Sequence, residues 1–255
     1  MSRFAVVTGA ANGIGRAISS TLAHDATVSR VFAVDRDSDA GASLERENPG
    51  KVTFLKADLG LAESCRDAVA QIANATSGKI DILCNNVGIQ STETSLPLHE
   101  LSDDLWKETM NINLNSYFWM SKHSLPLMRS RGGVIVNMSS VQGFQSQKGI
   151  PHYAASKGAI LSLTRQMAIE YASWGVRVVS VCPGTIRTKL VEGLLADAGK
   201  DFDDIVHDDL VFGGVGMPQH VADVVHFLCG DGAAYISGEA ITVDGGIMAK
   251  GSWNT

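Results

Sequence analysis

The chain has 255 residues, is 45% hydrophobic and 19% charged, and carries a formal net charge of −6 at pH 7. Its Lys and Arg are scattered without a polybasic run, which argues against nucleic acid as a partner, because phosphate binding needs a concentrated basic surface. No stretch approaches the roughly 18–20 apolar residues of a membrane span, and no targeting segment is legible. Four cysteines (Cys65, Cys84, Cys182, Cys229) form no Cys-x-x-Cys pair and read as free thiols of a reducing compartment, so a cytoplasmic protein is expected. The seven histidines are equally dispersed, with no His-Glu-x-x-His or Cys/His cluster, and no metal site is expected.

In chain order, short β-rich runs alternate with longer helical ones. Phe4–Val7 reads as a strand, followed by a glycine turn and a helix to about His24. Arg30–Val34 is a strand, Asp37–Glu47 helical, Val52–Lys56 a strand, Ala62–Ala75 helical and Ile80–Cys84 a strand. A long helix is expected over Asp103–Met128, then a strand at Val134–Met138, a helix over His152–Ser173 closed by Gly175, and a strand at Val176–Cys182. Val221–Cys229 is helical and Ala240–Val243 the last strand. Several strands are unbroken apolar runs, as expected of strands covered on both faces. Strands alternating with helices imply βαβ units, hence an α/β fold with a doubly wound parallel sheet in one domain over residues 1–255. The acidic, glycine-bearing stretch Glu192–Val215 follows a strand's carboxyl end, where open α/β sheets bind ligands. It reads as a mobile substrate flap over about residues 190–215, or as a solvated loop.

The first strand runs into Thr8-Gly9-Ala10-Ala11-Asn12-Gly13-Ile14-Gly15. Glycines here let the chain turn tightly, let its amides approach a pyrophosphate, and let the next helix pack close with its positive end toward the phosphates. Asp35 stands 20 residues after Gly15, at the end of the second strand, where a carboxylate can accept hydrogen bonds from adenosine ribose hydroxyls. It would repel a 2′-phosphate, so the expected cofactor is NAD. Arg36 beside it is the objection, since a guanidinium could neutralise that phosphate.

Tyr153-Ala154-Ala155-Ser156-Lys157 places a phenol and an ammonium one helical turn apart on one face. By itself such a pair is an ordinary surface contact. As a base, a phenol must be brought down from about pKa 10 to near 7, which requires roughly 4 kcal/mol of preferential phenolate stabilisation. A neighbouring ammonium acts in that direction. Ser140 lies 13 residues before Tyr153, just past a strand end, and Asn113 sits in the long helix. Taken singly, Ser140 could cap a turn and Asn113 could satisfy helix backbone.

The set resembles the short-chain dehydrogenase/reductase family, from the T-G-x-x-x-G-x-G turn to Asp244-Gly245-Gly246, over about residues 4–247. That resemblance implies a single-domain Rossmann-type fold, with a mostly parallel sheet of seven strands and helices on both faces. It implies a catalytic tetrad of Asn113, Ser140, Tyr153 and Lys157. Tyr153 would exchange the proton of an alcohol as hydride passes to or from nicotinamide, and Ser140 would hydrogen-bond the substrate oxygen. Lys157 would lower the Tyr pKa and bind the nicotinamide ribose, while Asn113 would hold a water leading to solvent. Asp58-Leu59 would meet the adenine. Asn85-Asn86-Val87-Gly88 matches the family's N-N-A-G with Val for Ala, and Pro183-Gly184-Thr185-Ile186-Arg187-Thr188 matches its P-G-x-[IV]-x-T, which fixes the carboxamide. The implied cofactor set is therefore Gly9, Asn12, Gly13, Ile14, Gly15, Asp35, Arg36, Asp58, Leu59, Asn85, Val87, Gly88, Tyr153, Lys157, Pro183, Gly184, Ile186 and Thr188.

A small-molecule alcohol or ketone would meet Ser140, Gln142, Gln147, His152, Tyr153 and Thr185, with the flap above. The polar members suit a sugar, polyol or cyclic alcohol. Phe144, Leu190, Leu194, Leu195 and Phe212 could instead clasp an apolar ring such as a steroid. The acidic flap (Asp197, Asp201, Asp203, Asp204, Asp208, Asp209) weighs against a polyanion. A reading of another class is a non-catalytic NAD-binding sensor or interaction protein, since fold does not fix function. Family members commonly pair their long helices as dimers or tetramers, and Trp106, Phe118, Trp119 and Met120 could serve such an interface or be ordinary core.

Overall fold

The computed structural model describes residues 2–90, 95–197, 199, 201–202 and 214–250. Its strands are β1 (Arg3–Thr8), β2 (Val28–Asp35), β3 (Val52–Lys56), β4 (Ile82–Asn85), β5 (Gly133–Met138), β6 (Val176–Pro183) and β7 (Ala240–Val243). They pair, all parallel, in the order β3-β2-β1-β4-β5-β6-β7. Strand order reverses between β1 and β4, and such a switch point opens a crevice at the carboxyl ends of the strands.

The helices are α1 (Gly13–His24), α2 (Ser38–Glu47), α3 (Ala62–Thr76), α4 (Asp103–Met110), α5 (Ser116–Met128), α6 (Pro151–Glu170), α7 (Lys189–Asp197) and α8 (Pro218–Cys229). Successive strand residues point to opposite faces, which explains the unbroken apolar runs. Ala5 and Val7 of β1 join Ile18 and Leu22 of α1 and Val221 and Val225 of α8 in one core. Val6, between them, joins Ile72 of α3, Met120 and Met128 of α5 and Met167 of α6 in the other. Ile18 and Ile72 are fully buried on the two faces, and each such side chain stabilises the fold by roughly 1.5–3 kcal/mol relative to exposure.

Three departures from the expected elements bear on the site. The long helix over 103–128 is interrupted by a π turn at Asn111–Asn115, between α4 and α5. Such turns are rare and cluster at functional positions. The helix of Tyr153 ends at Glu170, and a separate 3-10 turn, Ala172–Trp174, leads into Gly175 at φ 71°. The stretch expected as a flap begins with a helix, α7, and its two ends are tied together. Ile186 and Gly216 form a parallel bridge, with Arg187 N–H donating to Gly216 O at 2.8 Å and Gly216 N–H to Thr185 O at 2.9 Å. Asp203, Asp204, Asp208, Asp209, Leu210 and Phe212 lie outside the described residues.

Candidate active site

The turn between β1 and α1 is shaped by two close approaches. Gly9 sits at φ +62°, and a Cβ there would lie 2.7 Å from Val87 Cα; a Cβ on Gly15 would lie 2.0 Å from Gly9 O. Larger residues at either place would push the turn off the β4 end or lift α1 from it. Asn12, at the N-cap of α1, makes no side-chain cap bond, and its amide donates to Asp37 Oδ2 at 3.0 Å. The first amides of α1 therefore keep their donors for an anionic group.

Beside this turn lies a cavity of about 250 Å³ lined by Gly9, Asn12, Gly13, Ile14, Asp35, Arg36, Asp58, Leu59, Val87, Gly88, Thr188 and neighbours. Asp35 shapes its far end: its carboxylate accepts from Ala11 N–H at 2.9 Å and from Asp37 N–H at 3.0 Å. Asp37 is a second carboxylate at this end, held below the usual carboxylate range by hydrogen bonds from the Ala40 backbone and the Asn12 amide. Sequence reasoning passed over it; its signal was the Asp-Arg-Asp order before a helix. Arg16 is committed elsewhere, to Glu47 at 2.6 Å and to Ala11 O and Ala40 O.

A second cavity, of about 110 Å³, shares Ile14, Asn86, Gly88, Thr188 and Leu190 with the first and adds Ser140, Tyr153, Lys157, Pro183, Gly184 and Ile186. The strand ends of β5 and β6 and the face of α6 thus bring three of the four expected catalytic side chains to one wall. Leu190 and Val191 of α7 close it from the flap side. Ser140 Oγ accepts from Gln142 N–H at 3.1 Å and is hydrogen-bonded with the Tyr153 phenol. Ser139, the adjacent hydroxyl, is spent on Lys157 O at 2.8 Å.

Lys157 is buried, and its Nζ donates to Met138 O at 2.9 Å. Burial brings its pKa down to about 8. Burial also raises the Tyr153 phenol, and a hydrogen bond with Ser140 pulls it back only in part. The Lys157 ammonium is engaged on Met138 O and lies 5.6 Å over the Tyr153 ring.

Asn113 is fully buried in the π turn. Its amide donates to Ile89 O at 2.8 Å and accepts from Ile89 N–H at 2.8 Å, with Ser156 Oγ at 3.3 Å. Both polar ends are taken by protein, so this side chain clamps the loop after β4 to the π turn.

Other expected site residues fall elsewhere. Asn85 is buried at the end of β4, donating to Ser121 Oγ at 3.1 Å and Asn137 Oδ1 at 2.9 Å, and lines neither cavity. Its neighbour Asn86 lines both and stitches the turn, donating to Thr8 O at 3.0 Å and Gly9 O at 3.2 Å. Alternation along β4 sends adjacent side chains to opposite sides, and the sequence pair Asn-Asn does not say which is which. His152 is fully buried with neither ring nitrogen partnered. It is about 100° around α6 from Tyr153, on the inward stripe with Ser156, Ile160 and Thr164, and it does not line the cavity. Gln142 turns to its own loop, where Oε1 accepts from Gln147 N–H at 3.1 Å, and Thr185 lines neither cavity. Gly15 is a packing position.

Among the described residues no cluster of His, Cys, Asp and Glu could hold a metal ion, and no helix is long and apolar enough to cross a membrane.

The family model described as Enoyl-(Acyl carrier protein) reductase matches residues 9–248. The chain is 36% identical to the uncharacterized oxidoreductase YxbG of Bacillus subtilis, over 97% of this chain and 92% of that protein. It is 35% identical to the cis-4-hydroxycyclohexanecarboxylate dehydrogenase of Sinomonas cyclohexanicum, over 97% of both chains. The ligand-free aldohexose dehydrogenase of Thermoplasma acidophilum superposes with a TM-score of 0.88 at 31% identity, covering 100% of this chain and 97% of the other. The protein belongs to the short-chain dehydrogenase/reductase family, oxidoreductases that act on alcohols with a nicotinamide cofactor.

Proposed function

We propose that the protein is an NAD-dependent dehydrogenase/reductase that interconverts a secondary alcohol and its ketone, with Tyr153 as the proton-transferring group. The observation that carries this reading is the wall shared by Ser140, Tyr153 and Lys157, which opens into the cavity bounded by the glycine turn and Asp35.

The residues fit the cofactor. Asp35, Asp58 and Leu59 would hold the adenosine end, the turn amides the pyrophosphate, and Gly88, Pro183, Gly184, Ile186 and Thr188 the nicotinamide end. A bound nicotinamide dinucleotide supplies the hydride acceptor for oxidation and the donor for reduction. Tyr153 takes the hydroxyl proton in oxidation and returns it in reduction. Ser140 directs its hydroxyl at the substrate oxygen, in the manner of an oxyanion site. Lys157 favours the phenolate and holds ribose hydroxyls. Preference for NAD follows from two carboxylates, Asp35 and Asp37, flanking Arg36, while Arg16 is tied to Glu47.

For substrate we infer a sugar, polyol or cyclic alcohol, in keeping with the names of the aldohexose and hydroxycyclohexanecarboxylate dehydrogenases. We further propose a cytoplasmic homo-oligomer, dimer or tetramer, pairing on the α5 and α6 side, where Phe118 and Ile169 are exposed. Met120 is core, and Trp119 is partly buried against it. The activity is tested by following nicotinamide absorbance with a panel of sugars, polyols and cyclic secondary alcohols, each with NAD and with NADP. Turnover with NAD on at least one supports the reading; cofactor binding without turnover on any of them contradicts it.

A further inference from the structure

Tyr117 has no role in the chemistry described so far, yet it touches the same group as Lys157. It lies fully buried on α5, four residues after Asn113, and its hydroxyl donates to Met138 O at 3.0 Å. That oxygen, at the end of β5, also accepts Lys157 Nζ at 2.9 Å. The shared acceptor leaves the ammonium between two aromatic rings, 5.8 Å from the centroid of Tyr117 and 5.6 Å from that of Tyr153.

A ring face attracts a cation within about 6 Å, and the attraction grows where water is excluded. Lys157 is such a case: it is buried, and no carboxylate is among the groups acting on it. The groups that do face it are Tyr153 from its own helix, Tyr117 from α5, and the Cys182 thiol from β6, which burial pushes up to about 11 and so keeps neutral at neutral pH. Gly88 and the Asn113 amide, also close by, do not titrate.

We infer that Tyr117 is a positioning residue for the reaction: anchored by its hydroxyl on Met138, its ring holds the Lys157 ammonium in the charged form that Tyr153 requires. The inference rests on the proposed roles of Tyr153 and Lys157. It separates ring from hydroxyl, because Tyr117→Phe keeps the ring face and Tyr117→Leu removes it.

The test titrates Lys157 in the full-length protein by NMR with 13C-labelled lysine, assigned by loss of the signal in Lys157→Met, beside the pH profile of kcat/KM for alcohol oxidation. Tyr117→Leu is expected to lower the Lys157 midpoint by about one pH unit and to move the ascending limb of oxidation upward. Below that limb the rate falls about tenfold, while Tyr117→Phe stays within about 0.3 unit of the native midpoint. Tyr117→Met, also without a ring, replaces the Leu variant if circular dichroism shows that Leu does not fold. A native-like Lys157 midpoint in the ringless variant, or an equal shift in Tyr117→Phe, overturns the inference. Since the titration needs no turnover, a native protein inactive on every alcohol would count against the proposed function, and the NMR midpoints would still decide the role of Tyr117.

Discussion

Asn113 holds both backbone groups of Ile89, donating to its carbonyl and accepting from its N–H, each at 2.8 Å. The clamp joins the π turn to the loop after β4, where a Cβ on Gly88 would stand 3.4 Å from Lys157 Nζ. Asn113→Ala unpairs both groups and is expected to cost about 1–3 kcal/mol of stability. It should also lower kcat/KM, because Gly88 and Lys157 lose their common frame. Denaturant unfolding beside steady-state kinetics measures both, and a variant with native stability would mean that the clamp carries no load.

Asp35 should govern cofactor choice. Asp35→Ser removes the carboxylate at the proposed adenosine end and the acceptor for Ala11 N–H. Binding of NAD is expected to weaken, while the ratio of NADP to NAD affinity rises about tenfold or more, since one unit charge near a phosphate is worth on the order of 1.4 kcal/mol or more in a partly shielded site. Fluorescence titration with both cofactors reads the ratio, and an unchanged ratio would place the discrimination on Asp37.

Lys157 makes a prediction about stability and pH. Its folded pKa of about 8 lies below the ordinary lysine value of 10.5, so the unfolded chain binds more protons between those two values and stability rises with pH across that window. The cost of the buried charge is fully present below about 8 and is gone above about 10.5. Lys157→Met is therefore expected to be more stable than the native protein at pH 7, by about 1–3 kcal/mol, and inactive. The difference in unfolding free energy should shrink as pH rises through the window. A variant less stable at pH 7 would contradict this assignment.

Gly15→Ala tests the turn. A Cβ 2.0 Å from Gly9 O cannot be accommodated without moving backbone, so the variant should lose about 1–3 kcal/mol or more and bind NAD at least tenfold more weakly. Thermal unfolding with and without NAD shows both effects; native cofactor affinity would argue against the turn as the pyrophosphate cradle.

Most of this arrangement was legible in the sequence because its signals are local. Apolar runs marked β1, β5 and β6, the glycine spacing marked the turn, and the family resemblance pointed to Ser140, whose neighbour Ser139 has its hydroxyl spent on α6. What was not legible depends on direction and partner. The π turn leaves the apolar pattern of a helix almost unchanged, so residues 103–128 read as one helix. His152 stands beside a motif residue and Asn85 within a motif, and only the helix angle and the strand alternation reveal that both point inward. No motif pointed to Tyr117: it is core, but its hydroxyl donates to the carbonyl that also holds Lys157.

The most direct test is the comparison of native protein with Tyr153→Phe, using NAD and the best alcohol from the panel. Phe keeps the ring beside Lys157 and removes the hydroxyl that carries the exchangeable proton. The account predicts that the variant binds NAD with near-native affinity and loses at least about a hundredfold in kcat, the scale of general acid–base catalysis. Full activity in Tyr153→Phe would contradict it.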